Sequence, residues 1–180
     1  MNRSELQPHL VGALLELRPL IPADWEELFA AASDPLIWEQ HPASDRYNEE
    51  VFRKFFEDAL ASKGALVAID RKSGRIIGSS RYANNELGEL EVGWTFLTRE
   101  CWEKGYNREM KRLMLNHAFR FVESVVFVIG PENWRSRKAV EKIGGELTEL
   151  TCARMMCGEK VEHVVYRIGR AVATDRKHEG

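Results

Sequence analysis

The residues best placed to do chemistry lie in one stretch, Cys101-Trp102-Glu103-Lys104-Gly105-Tyr106-Asn107-Arg108-Glu109. An apolar alternation, Leu90-Glu91-Val92-Gly93-Trp94-Thr95-Phe96-Leu97, precedes it. A helical stripe of Met110, Leu113, Met114, His117, Ala118, Phe121 and Val122 follows. Strand, short glycine-bearing loop and helix in that order leave unpaired backbone N–H groups at the helix start. These donors sit at the positive end of the helix dipole, an arrangement that suits a phosphate. Lys104 and Arg108 add charge at the same place, in a basic cluster with Arg99, Lys111 and Arg112. A second basic cluster, Arg135, Arg137, Lys138 and Lys142, follows a capping residue, Asn133.

The 180 residues carry 26 Lys and Arg against 28 Asp and Glu, a net charge of −2. Local basic patches on a mildly acidic chain fit a small polyanion better than a nucleic-acid duplex. The three cysteines, Cys101, Cys152 and Cys157, have no zinc-ligand spacing and read as reduced structural thiols. Cys101 stands near a helix start, where a thiol pKa can fall. No residue set has metal-ligand spacing. No leader-like segment or membrane-length apolar run is visible, so a cytoplasmic protein is expected.

These groups must be held by a scaffold. Residues 1–13 show little pattern and read as a loose arm, as does the polar tail 169–180. Leu14–Leu20 reads as a strand, and Asp24 as the cap of a helix with Glu27 three residues on. Asp34-Pro35 ends that helix. A polar and aromatic loop, Trp38 to Tyr47, leads to a second helix capped by Asn48. Strands follow at Ala65–Ile69, Arg75–Tyr82 and Glu89–Leu97, joined by short turns. After the helix at Met110 comes an apolar strand, Val125–Ile129, parallel to Glu89–Leu97 through a right-handed crossover. A helix from Asn133 to Ile143 ends at Gly144-Gly145, and a hairpin turning at Gly158 closes the chain. The sum is a mixed α/β domain over residues 14–168, with about seven strands and one central parallel pair.

This pattern resembles the GNAT N-acetyltransferases, and in particular the branch of the ribosomal-protein N-terminal acetyltransferases. The matching pieces are Leu17-Arg18-Pro19-Leu20, Glu91-Val92-Gly93-Trp94, Trp102 to Glu109, Asn133-Trp134-Arg135-Ser136 and Ala139 to Gly144. The resemblance implies a mostly antiparallel α+β sheet with helices on both faces, splayed at its central parallel pair around acetyl-CoA. It implies backbone contacts from Trp94, Thr95, Phe96 and Leu97 to the pantetheine arm, one of them an oxyanion donor. It places the pyrophosphate on Trp102, Glu103, Lys104, Gly105, Tyr106, Asn107 and Arg108, and gives Asn133 and Ser136 to the cofactor arm.

Gly105 fits the family's phosphate-loop pattern. Trp102 and Asn107 depart from it, and the tyrosine expected seven residues after Asn133 is Val140. By the same resemblance Glu91 is the base, directly or through water, with Glu89 as runner-up. Ser136 is the acid or thiolate donor. Against these roles stand a strand carboxylate paired with Arg81 and a first-turn capping serine. Trp38, His41, Arg46 and Tyr47 wall the acceptor pocket. Tyr106 is expected to pack on cofactor or core, His117 at the core edge, and His163 as a hydrogen-bonded surface residue.

The implied activity is acetyl transfer from acetyl-CoA to the primary amine of a protein N-terminus or small molecule, in a ternary complex. The implied protein is a monomer or homodimer with no nucleic-acid or membrane partner. A non-catalytic acyl-CoA sensor on the same fold is the alternative reading. An unrelated nucleotide-binding fold would need more glycines in the loop.

Overall fold

In a computed structural model, which describes residues 5–84, 88–156 and 158–170, the apolar alternations become one eight-stranded sheet. The strands are β1 (Leu10–Val11), β2 (Leu15–Pro19), β3 (Ala65–Asp70), β4 (Ile76–Asn84), β5 (Leu90–Leu97), β6 (Ser124–Ile129), β7 (Glu146–Met156) and β8 (Glu159–Gly169). Their order across the sheet is β1-β2-β3-β4-β5-β6-β8-β7. Only β5 and β6 are parallel, because a helix, α3 (Tyr106–Ala118), carries the chain back between them. The other helices are α1 (Trp25–Ala32), α2 (Glu49–Ser62) and α4 (Trp134–Glu141). None of the described helices is long and apolar enough to cross a membrane.

At β3 the sheet is buried on both faces, which is why that strand reads as a continuous apolar run. Met110 and Met114 of α3 and Val140 of α4 pack on Leu15, Leu17, Val125 and Phe127 in one core layer. Leu28 of α1 and Phe52, Phe55 and Phe56 of α2 pack on Val67 and Phe96 in the other.

The structure differs from the sequence reading at three places. The eighth strand, β1, lies in the arm expected to be loose, where Leu10 pairs opposite Leu17 and Leu6 is buried in the core. Two residues are too few to show an alternation. At Asp24 the carboxylate does not cap α1; it accepts from Ile21 N at 2.9 Å and from both Arg18 Nη atoms, at 2.7 and 2.8 Å. Asn48 occupies the cap position of α2 without a side-chain capping bond. The turn residues 85–87, Cys157 and the tail 171–180 lie outside the described residues. Arg170 is still tied in, its N–H donating to Glu123 O at 2.8 Å.

Two irregularities shape the centre. The β5–β6 ladder pairs Leu90 with Val125 and Glu91 with Val126 and goes no further, so the strands part beyond residue 91. On its other side β5 bulges. Ser79 pairs with Phe96 and Arg81 with Gly93, so Trp94 and Thr95 together face Ser80. Trp94 takes φ +51°, rare for a residue of its size. Close by, Gly78 lies so near β5 that a Cβ there would sit 2.1 Å from Phe96 O.

Candidate active site

The parted strands leave backbone groups with no strand partner between Val92–Leu97 on one side and Phe127–Ile129 on the other. Buried backbone groups must find partners. Here they border a cavity of about 800 Å³ lined by both segments. The cavity runs from the start of α3 to the tip of the β7–β8 hairpin.

At the α3 end, the first bond within the helix is from Glu109 N to Gly105 O (2.9 Å). The N–H groups before it have no acceptor in the helix. Gly105 takes φ +86° and Glu103 φ +60°, which turn the loop onto the helix axis. Asn107 sits inside the first turn of α3 with ordinary helical geometry, so the left-handed positions fall at Glu103 and Gly105 instead. Glu109 anchors this turn: its carboxylate accepts from the N–H of Ala13, Leu14 and Leu15 at 2.8–3.0 Å. Burial pushes its pKa up, but the three donors outweigh that and hold it low. Across the opening, Asn133 Oδ1 accepts from Ser136 N at 3.2 Å, a helix cap that fixes the first turn of α4. The Arg135 guanidinium stacks 4.2 Å from the Trp102 ring and donates to Ile37 O at 2.5 Å.

At the far end lie Trp38, His41, Arg46, Trp94, Arg154, Met156 and His163. Ala43 N donates to His41 Nδ1 at 2.9 Å, which leaves the ring hydrogen of the neutral imidazole on Nε2. Arg46 Nη1 lies 3.3 Å from that Nε2, so two donors stand side by side. Burial, with Arg46 nearby, lowers the His41 pKa to about 3. The Arg46 guanidinium also lies over the Phe55 and Trp38 rings, 4.7 and 5.6 Å from their centroids. His163 is buried rather than on the surface, and Nδ1–H donates to Val161 O at 2.9 Å. His117 lies at the core edge, where Nε2–H donates to Glu5 O at 2.7 Å.

Glu91 is 1% exposed. Its Oε2 accepts from Arg154 Nη2 at 2.6 Å, although β6 and β8 stand between β5 and β7 in the sheet. Its Oε1 has no hydrogen-bond partner among the described residues. Burial raises the Glu91 pKa, and the bond from Arg154 with the charges of Arg154 and Arg81 offsets only part of that rise. Glu91 does not line the cavity, but Gly93 does, and a Cβ on Gly93 would lie 3.0 Å from Glu91 Oε1. Gly93 thus brings the cavity wall close to the unpartnered oxygen. Arg81 and Arg154 both flank the Trp94 ring, 4.8 and 5.1 Å from its centroid, and hold the bulge residue in its strained conformation.

Most of the residues singled out in the sequence line this one cavity: Trp38, His41, Arg46, Trp94 to Leu97, Trp102, Glu103, Gly105, Asn107, Arg108, Asn133 and Ser136. Lys104 and Tyr47 are exposed and off its wall. Tyr106 is also off the wall, because its hydroxyl is drawn to Asp70 Oδ1 at 2.8 Å. Glu89 is taken by Arg167 at 2.8 Å. Burial raises the Cys101 thiol pKa, the reverse of what a helix start alone would do.

Two residues were given no role in the gap by the sequence, Arg154 and Lys111, the latter read only as part of a basic cluster. Lys111 is 6% exposed and lines the cavity. Its Nζ donates to Thr95 Oγ1 and to Ser80 Oγ (3.4 Å) and lies 5.4 Å from the Phe127 ring centroid.

The residues present fit a coenzyme A thioester. Free donors at the α3 start, with Arg108, Lys138 and Lys142 on the cavity wall, suit phosphates. Unpaired strand edges suit an amide-bearing arm. When bound, the thioester supplies the activated acyl group.

The fold matches solved acetyltransferases. A GCN5-related N-acetyltransferase from Brucella melitensis superposes with TM-score 0.80 at 18% identity, over 95% of this chain and 84% of that one. An acetyltransferase from Agrobacterium tumefaciens str. C58 gives 0.69 at 26%, over 91% and 95%. A ribosomal-protein-S5-alanine acetyltransferase from Vibrio fischeri gives 0.66 at 16%, over 91% and 97%. The family model of the acetyltransferase (GNAT) domain matches residues 15–146, most of the chain, and the protein therefore belongs to the GNAT acetyltransferase family.

Proposed function

We infer that the protein moves the acetyl group of acetyl-CoA directly to a primary amine, with both substrates bound together. The observation that carries this reading is the parting of β5 and β6 over a cavity that reaches the start of α3. One end takes the phosphates, and the other takes the amine. Backbone N–H groups at the Trp94–Thr95 bulge polarise the thioester carbonyl, as an oxyanion hole does. Glu91 takes the amine proton through a water reaching past Gly93. Burial raises its pKa, which makes the carboxylate a stronger base than one in water. Ser136, oriented by the Asn133 cap, donates a hydrogen bond toward the sulfur.

Glu91→Gln is expected to lower kcat about 10²–10³-fold at pH 7 and to abolish the acidic limb of the pH–rate profile. An unchanged profile would remove Glu91 from the mechanism.

The acceptor end favours one kind of amine. Its lining cations are Arg46 and Arg154, and Glu91 offsets the second. Both histidines are held toward the neutral form. Glu103, at the opposite end, is the one carboxylate on the cavity wall among the described residues. An amine with a carboxylate of its own is therefore expected to react faster than a polyamine or aminoglycoside. A thiol-release screen over amino acids, acidic and basic N-terminal peptides, polyamines and aminoglycosides tests this. Binding of acetyl-CoA without turnover of any amine would favour the sensor reading.

A further inference from the structure

Lys111 has no place in the scheme above, yet it is the charged group set deepest in the gap. It bonds Thr95 of β5 and faces Phe127 of β6, so its ammonium stands between the two strands just where their ladder stops. A lysine this buried is normally paired with a carboxylate. Its polar partners among the described residues are two hydroxyls, Ser80 and Thr95. β4, β5 and β6 bring those hydroxyls and the Phe127 ring to it. The other charged groups sharing the cavity are Glu103 before its helix, Arg108 one turn earlier, Arg46 of the loop before α2, Arg135 and Lys138 of α4, Lys142 just after it and Arg154 of the hairpin. None of them shifts its titration; burial alone does, lowering its pKa to about 7. A buried cation without a counter-ion is costly and calls for an anion at the same place.

We propose that the ammonium of Lys111 stabilises, as a thiolate, the sulfur that leaves when the acyl group is transferred. This rests on the acyl-CoA reading above. As the acyl carbon–sulfur bond breaks, the electron pair stays on sulfur. The Lys111 ammonium pairs with that thiolate, which takes a proton from solvent as CoA departs. The proton released by the acceptor amine goes separately to Glu91. A serine hydroxyl can donate a hydrogen bond to a thiolate but carries no charge. Lys111 therefore supplies the full positive charge that Ser136 cannot.

The test needs no acceptor amine. Coenzyme A itself is bound, and its thiol is titrated by the ultraviolet absorbance of the thiolate. Beside an ammonium the bound thiol is expected to titrate about one unit or more below free CoA. Lys111→Met should bring it to or above the free value, and Lys111→Arg should keep it low. A bound thiol that titrates like free CoA in the unmutated protein overturns the proposal without any variant, and so does a lowered value that survives in Lys111→Met. If CoA binds but its thiol is unmoved, only the role of Lys111 falls. If CoA does not bind at all, the acyl-CoA reading falls with it.

Discussion

Arg154→Met is expected to destabilise the protein by about 3–5 kcal/mol, the range for breaking one side of a buried ion pair. Glu91 is 1% exposed, and among the described residues the bond from Arg154 is the one hydrogen bond its carboxylate makes. Without it the carboxylate keeps Arg81 as a nearby charge, but both oxygens are then buried and unbonded. The carboxyl would respond by staying protonated at neutral pH, which removes it as a base as well. Adding Glu91→Gln to the Arg154 variant should recover most of the stability, since no charge is then left behind. Urea unfolding of the two single variants and the double variant gives the coupling directly. A loss below about 1 kcal/mol for Arg154→Met would mean that the pair behaves like an exposed one.

Lys111→Met is expected to make the ligand-free protein more stable, by a few kcal/mol at pH 6–7. The sign follows from the two pKa values. In the folded state the group titrates near 7, and in the unfolded chain near its ordinary ~10.4. Between those values the unfolded chain holds more protons, so the unmutated protein gains stability as pH rises through that window. Below pH 7 the whole cost of burying the ammonium is present. Above about pH 10.4 the lysine is neutral in both states and the advantage of methionine disappears. Urea midpoints at pH 6, 8 and 10 should converge. A difference that stays constant with pH would show that Lys111 remains charged in the fold.

The strands were legible because each is an alternation or an apolar run bounded by turn residues, and the phosphate loop because it falls between two clear periodic segments. The deeper site was not legible, for reasons that can be assigned residue by residue. Lys111 reads as part of a basic patch with Arg108 and Arg112. In the structure Arg108 and Arg112 are exposed, while Lys111 falls on the inward row with Asn107, Met114 and Ala118. The spacings of four, three and four along that row were the available signal. Glu109 reads as one more charge beside the phosphates, but its three partners lie 94 to 96 residues earlier. Arg154 sits on an edge strand whose charges look like ordinary solvent-facing residues. Its contact with Glu91 depends on how the hairpin bends over the gap, which no local pattern records.

The strand order has a consequence for how the chain is made. β8 is synthesised last, yet it lies inside the sheet between β6 and β7. The antiparallel run from β3 to β5 needs only short turns and can form early, while β6 has β5 on one side and must wait for β8 on the other. One wall of the acyl cavity therefore acquires its neighbour only when the final dozen or so residues of the fold arrive. Until then β6 is an apolar strand with a bare edge, the kind of surface that pairs with other chains. A product cut short within the hairpin would keep the phosphate loop and most of α3's packing, and would be the form most prone to aggregate.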